Sequence, residues 1–236
     1  MDIKIENLTV CYGKHEVLKD LNFLFEKNHI YAILGPNGCG KTTLVDRIAK
    51  DFSKTSDISY IAQETLGELE LKAYDVVSLG RYNPKDFYHS LTREDKDKIE
   101  KAMFDMDISH VQDRNFDTLS GGEKQRIQIA RALAKDYEWL LCDEPTSSLD
   151  VKHQVLFART VKRIHEEGKS VIVVLHDINL ASSIADRILL MKEGRIYKAG
   201  IPSEVLTEEN LKACFDTDFV RIQNEDRNII NFIYNV

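Results

Sequence analysis

The run His29-Ile30-Tyr31-Ala32-Ile33-Leu34 leads into Gly35-Pro36-Asn37-Gly38-Cys39-Gly40-Lys41-Thr42, with Thr43 directly after. The first six residues are short and apolar enough for a buried strand. The next eight fit G-x-x-x-x-G-K-[ST] in full, and beyond Gly40 the apolar residues Leu44, Val45 and Ile48 fall on one helical face. Strand, glycine loop and helix in that order build a cradle for phosphate. Backbone N–H groups wrap an anion only where side chains do not block the approach, hence the glycines. The helix N-terminus adds a favourable dipole. Lys41 brings a positive charge to the β- and γ-phosphates, and Thr42 offers a hydroxyl to Mg²⁺, a cation that prefers oxygen. The stretch predicts an α/β fold that binds a nucleoside triphosphate with Mg²⁺. Cys39 reads either as a small filler or as a thiol of lowered pKa among converging N–H donors, which nucleotide would shield from alkylation.

Working outward, residues 2 to 34 read as strands and turns, with Ile3, Ile5, Leu8 and Val10 partly alternating. Ile58 to Ala62 forms another short strand. From about Tyr74 to Lys135 the character is helical and charged; Thr92 to Met106 carries only Ile99, Ala102 and Met103 as an apolar stripe, which reads as a solvated helix. Strand and helix then alternate: Trp139 to Cys142, a helix over Val151 to Glu167, Val171 to Leu175, a helix from near Asn179, and Ile188 to Met191. Apolar strands separated by helices predict a parallel sheet covered on both faces. The tail from Arg195 mixes short strands with a helix near Glu208 to Cys214. No internal repeat or low-complexity linker divides the 236 residues, which read as a single domain.

Composition narrows the class. With 43% hydrophobic and 30% charged residues the chain is an ordinary globular protein. Its longest apolar runs, such as Ser170 to Leu175, are strand-sized and far from the roughly 20 residues that span a bilayer. The N-terminus lacks a basic start followed by an apolar stretch, so no secretory signal is expected. Any link to a membrane then runs through partners. A net charge of -7 argues against nucleic acid as the main partner. Cys11, Cys39, Cys142 and Cys214 are scattered and read as free thiols of a reduced interior.

A second string is more specific. Leu119-Ser120-Gly121-Gly122-Glu123-Lys124-Gln125-Arg126 runs straight into the helical stretch Ile127 to Lys135, a second anion-binding helix start that Ser120 can cap. Trp139-Leu140-Leu141-Cys142-Asp143-Glu144-Pro145 is an apolar strand that ends in two carboxylates, where open α/β sheets place their ligands. On these strings, in this order, the chain resembles the ATP-binding subunits of ABC transporters over nearly its whole length. The resemblance implies a P-loop NTPase core with a parallel sheet, an N-terminal antiparallel β subdomain and a helical subdomain at about 72–135.

It also implies roles. Leu119 to Glu123 is similar to the family signature, which closes over the γ-phosphate held by another subunit; one phosphate loop and one signature then imply a head-to-tail dimer with two composite sites, completed by Ser120, Gly121 and Gly122 of the partner. Tyr12, in Val10-Cys11-Tyr12-Gly13, resembles the aromatic that stacks on adenine. Gln63 resembles the glutamine that contacts Mg²⁺ and the attacking water where the transport subunit docks. Asp143 matches the support of Mg²⁺ and Glu144 the general base. Ser147-Ser148-Leu149-Asp150 is similar to the D-loop, which crosses the dimer interface, and His176 to the switch histidine on the γ-phosphate. The implied chemistry is in-line attack of water on ATP, with Lys41 and Mg²⁺ neutralising charge.

Leu79-Gly80-Arg81-Tyr82 and His176-Asp177-Ile178-Asn179-Leu180-Ala181 resemble subunits that serve importers of iron complexes, haem or cobalamin. The implied setting is the cytoplasmic face of a membrane, beneath a separate permease fed by an extracytoplasmic solute-binding protein. A soluble ATPase of cofactor assembly shares the other motifs, and these two strings count against it. One departure stands out: only 22 positions separate Lys41 from Gln63, shorter than in most relatives, so the usual strand pair and part of the first helix's continuation are expected to be trimmed.

Overall fold

Alternation along the central strands sorts the core onto two faces. Ala32, Leu34, Leu140, Cys142, Val171, Val173, Ile188 and Leu190 pack to one side, and Tyr31, Ile33, Trp139, Leu141, Ile172, Val174, Leu189 and Met191 to the other. This period of two, with both faces apolar, is what a sheet buried on each side demands. The computed structural model describes residues 1–52, 57–63, 70–82, 90–224 and 229–234.

The elements run β1 (Ile3–Tyr12), β2 (His15–Phe25), β3 (Ile30–Leu34), α1 (Lys41–Asp51), β4 (Ile58–Ile61), α2 (Ala73–Ser78), α3 (Arg93–Asp105), α4 (Gly121–Ala134), β5 (Trp139–Asp143), α5 (Val151–Glu166), β6 (Ser170–Val174), α6 (Ile178–Ile184), β7 (Arg187–Lys192), β8 (Arg195–Gly200), α7 (Pro202–Val205), α8 (Glu208–Phe215), β9 (Phe219–Asn224) and β10 (Ile229–Tyr234). The main sheet has the order β4-β5-β6-β3-β7-β8 and is parallel except for β8, which returns antiparallel on β7. The antiparallel pair β1-β2 lies over one face together with α1, and their apolar residues Ile3, Leu18, Phe25, Leu44 and Ile48 share the second core. Helices α2 to α6 supply the other face.

Within 72–135, α2, α3 and α4 are joined by short 3₁₀ turns, with residues 83–89 outside the described set. The two longer helices are announced by capping boxes, Thr92 with Asp95 for α3 and Ser120 with Glu123 for α4. Between α1 and Gln63 the single described strand is β4, which pairs with β5 at the sheet edge. No helix among the described residues is long and apolar enough to cross a membrane.

Candidate nucleotide site

The C-terminal ends of the parallel strands, where ligands of open α/β sheets collect, open into one cavity of about 420 Å³. Its walls are Asn37, Gly38, Gly40, Lys41, Thr42 and Thr43 from the loop after β3, Gln63 after β4, Glu144 after β5, His176 after β6, and Val17 of β2. The loop is held down from beneath. A Cβ on Gly35 would sit 2.3 Å from the carbonyl oxygen of Met191, and one on Gly40, the left-handed cap of α1 at φ +101°, would sit 2.6 Å from Leu18. Lys41 Nζ donates to the carbonyls of Gly35 at 2.9 Å and Pro36 at 3.0 Å. Those bonds use two of its three N–H donors and leave one for an anion in the cavity.

Asp143 is fully buried at the end of β5, and neither carboxylate oxygen completes a hydrogen bond with the described residues. Burial pushes its pKa up to about 6, with Glu144 and Asp46 adding to the rise and the Thr42 hydroxyl opposing it. Such a charge calls for a cation. Thr42 and Gln63 contribute further oxygens nearby, so the donor set fits a hard ion such as Mg²⁺. Glu144 follows with a left-handed backbone, φ +49°. Its Oε1 lies 2.6 Å from His176 Nε2, and its Oε2 accepts from Gln63 Nε2 at 3.1 Å. A carboxylate accepts, so the hydrogen between Glu144 and His176 sits on Nε2.

Lys41, Thr42, Thr43, Gln63, Glu144 and His176 thus meet around one space, with Asp143 beneath it. Other predicted residues lie elsewhere. Tyr12 is 62% exposed at the tip of the β1-β2 hairpin, outside the cavity wall. Ser120, Gly121 and Gly122 open α4, and Asp150 caps α5. These two helix starts are neighbours, since a Cβ on Gly122 would lie 3.3 Å from the carbonyl of Ser148. Val17 was unmarked in the sequence, because an apolar strand residue carries no sign of what passes over it.

Of the two readings of Cys39, the small filler is supported and the activated thiol is not. The Cys39 side chain turns into the core among Leu18, Leu44 and Met191 and is 4% exposed. Burial raises its pKa, outweighing Lys41 and the backbone donors that pull it down. Cys39 can therefore offer nucleotide its backbone but not a reactive thiolate. Iodoacetamide should modify the exposed Cys11 of the native protein, leave Cys39, Cys142 and Cys214 largely untouched, and show no ATP effect at Cys39. Alkylation of Cys39 at the rate of Cys11, suppressed by ATP, would restore the reactive-thiol reading.

A family model described as "ABC transporter" matches residues 18–147, which hold the phosphate loop, the Leu119–Glu123 string and the Asp143-Glu144 pair. The chain belongs to the ABC transporter family. Its matched region is the ATP-binding, ATP-hydrolysing domain of that family. The petrobactin import ATP-binding protein YclP of Bacillus subtilis is 34% identical over 235 residues, covering 91% of this chain and 92% of that protein. Among solved structures, the inward-facing conformation of a provisionally assigned metal-chelate type ABC transporter superposes with a TM-score of 0.83 at 28% identity, covering 99% of this chain and 97% of the other. The dimeric post-hydrolysis structure of the ATP-binding cassette MJ0796, bound to ADP and Pi, gives 0.74 at 26% identity over 86% of this chain and 99% of that one. ABC cassettes of this fold thus form dimers.

The two strings that resemble subunits serving importers of iron complexes, haem or cobalamin have structural work in this ABC chain. Gly80 passes α4 so closely that a Cβ would lie 2.1 Å from the carbonyl of Arg131. Arg81 then joins α3 to the end of α4, bonding Asp95 at 2.7 Å, Asp136 at 2.9 Å and the carbonyl of Ala134 at 3.0 Å. Asn179 exchanges two hydrogen bonds with the backbone of Phe232 and so fastens β10 to α6.

Proposed function

We propose that this chain is the ATP-hydrolysing subunit of an importer of iron complexes, haem or a cobalamin-like cargo. It works as a pair of identical subunits on the cytoplasmic face of the membrane, beneath a separate permease that an extracytoplasmic solute-binding protein supplies. The observation that carries this reading is the meeting of Glu144, Gln63 and His176 over the phosphate loop. Thr42, Gln63 and Asp143 would hold Mg²⁺, and the ion when bound would supply positive charge against the phosphates. Lys41 anchors the β- and γ-phosphates. Glu144 orients and deprotonates water, using lone pairs that Gln63 and His176 leave open. The Nε2 hydrogen that His176 gives Glu144 is the one it gives the γ-phosphate once nucleotide and the second subunit arrive. Tyr12 lies under the adenine, and Ser120, Gly121, Gly122 and Asp150 act across the dimer, in keeping with their distance from the cavity. Closure of the pair is then the motion that drives transport.

A groove of about 520 Å³ supports the permease partner. It runs between α1, β4 and the Leu79–Tyr82 turn, with Leu79 and Tyr82 among the exposed large apolar residues. The Tyr60 hydroxyl and the Asp46 carboxylate are bonded in its wall. Tyr82→Glu should reduce co-purification with the membrane subunit by about tenfold, the effect of a desolvated anchor, while basal hydrolysis stays within about twofold. Wild-type co-purification by this variant would remove the groove as the docking site. The absence of any membrane subunit from the wild-type complex would instead favour a soluble ATPase.

A further inference from the structure

Among the described residues β10 pairs with β9 alone, so the peptide groups along its outer edge need partners from elsewhere. At Phe232 one side chain supplies both. The Phe232 backbone N donates to Asn179 Oδ1 at 2.7 Å, and Asn179 Nδ2 donates to the Phe232 carbonyl at 3.2 Å. A carboxamide offers the same donor and acceptor as a peptide unit, so Asn179 stands where a next strand would be. Opposite Phe232 in the register is Arg221, whose backbone N also faces out of the hairpin and donates to Glu208 Oε1 at 2.7 Å. The pair is thus held on both sides, by α6 and by α8. Phe219 and Phe232 seat the hairpin from within, in one core with Ile178, Ala181 and Ile184 of α6.

This contact lies one helical turn from the nucleotide cavity. Helix α6 has seven residues, fewer than two turns, a length that does not hold itself in place. Asp177 ties its first turn to the preceding loop: Oδ1 accepts from the backbone N of Asn179 at 2.8 Å and of Leu180 at 3.0 Å. His176 stands one residue earlier. Its side chain is 47% exposed, and among the described residues Glu144 is its one bonded partner. The core therefore does not fix the ring. Its backbone leaves β6, which is locked between β5 and β3, and enters the Asp177 cap and α6. Of these two anchors, the short helix is the one that needs outside support.

We propose that Asn179 is a positioning residue: by closing the hairpin β9-β10 onto α6 it sets where His176 stands over the nucleotide cavity. The contacts are those of a single chain; the consequence for hydrolysis rests on the role given to His176 above. Asn179 follows His176 by three positions, and the Asp177 carboxylate stiffens the interval, so movement of the helix passes to the ring. The ring has little slack. With Nε2 2.6 Å from Glu144 Oε1, a shift of about 1 Å takes the two beyond hydrogen-bond reach.

The test uses the full chain carrying ¹⁵N-labelled histidine. In nucleotide-free protein the Nε2 hydrogen that His176 gives Glu144 yields a downfield proton resonance, identified by its loss in His176→Ala. Asn179→Leu fills about the same space and makes neither bond to Phe232. It should move or broaden that resonance and lower kcat for ATP hydrolysis by about tenfold to a hundredfold, the cost of misplacing a working group by about 1 Å. KM for ATP should stay within about twofold. In the His176→Ala background the same substitution should change kcat by less than about twofold, since the residue through which it acts is gone. Asn179→Asp keeps the acceptor for Phe232 N but sets a second oxygen against the Phe232 carbonyl, and it should disturb the resonance and kcat in the same direction. A wild-type resonance and kcat in Asn179→Leu, or an undiminished loss in the His176→Ala background, would overturn the proposal. If Asn179→Leu does not fold, Asn179→Asp decides by the same two readings, wild-type values of both overturning it. If His176→Ala hydrolyses ATP at the wild-type rate, the role of His176 fails, while the resonance still decides whether Asn179 places the ring.

Discussion

Glu144→Gln lowers steady-state ATP turnover by about 10²–10⁴-fold, the usual loss when a general base is removed, and leaves nucleotide binding in place. The substitution is nearly isosteric. An amide oxygen can still accept from Gln63 or His176, as Glu144 does at 3.1 Å and 2.6 Å, but it cannot take a proton from water. The wild-type rate should be followed across protein concentrations in the same experiment. Specific activity that rises with concentration supports the composite site, since Ser120, Gly121 and Gly122 lie outside the cavity of their own chain. A rate that ignores both concentration and the substitution means that Glu144 is not the base or that the chain does not pair.

The second large effect concerns stability. The Asp143 carboxyl has a pKa of about 6 against an ordinary 3.8 because it is buried. A folded-state pKa above the unfolded one stabilises the native state at low pH, and that stabilisation is lost as pH rises through about 6. Asp143→Asn removes the charge and with it this dependence. Without nucleotide or Mg²⁺, the melting temperature of Asp143→Asn minus that of wild type should therefore grow by about 3–6 °C between pH 5 and pH 8. The difference of differences cancels the cost of burying the amide. Mg²⁺ with ATP should flatten the wild-type dependence. Parallel melting of both proteins across that range would show that Asp143 carries no unbalanced charge, and Thr42 and Gln63 would have to be tested as the cation's main support.

Much of the site was readable because it is encoded locally. A glycine loop between an apolar strand and an amphipathic helix, a serine three residues before a glutamate, and two carboxylates at a strand end each state their geometry within a few residues. The contact of Gln63 with Glu144 spans 81 positions and depends on β4 lying beside β5. No local pattern announces that. Cys39 shows the same limit in reverse, since the loop placed its backbone correctly while its side chain direction was decided by the core below. Gly80 read as a mark of subgroup; the reason for it is the carbonyl of Arg131 across the helix–turn contact. Asn179 and Phe232, 53 positions apart, became neighbours only through the packing of β10 on α6.

The left-handed backbone of Glu144 bears on how this position evolves. At φ +49° glycine or asparagine rests with less steric conflict than glutamate, by on the order of 1 kcal/mol. Folding alone thus pulls residue 144 away from glutamate, and on the proposed reading only the need to move a proton holds it there. In any lineage that kept the fold but stopped hydrolysing ATP, this residue would be among the first to drift while the loop from Gly35 to Thr42 stayed intact. A glycine or asparagine here, above an unaltered phosphate loop, would mark a descendant that senses nucleotide and no longer consumes it.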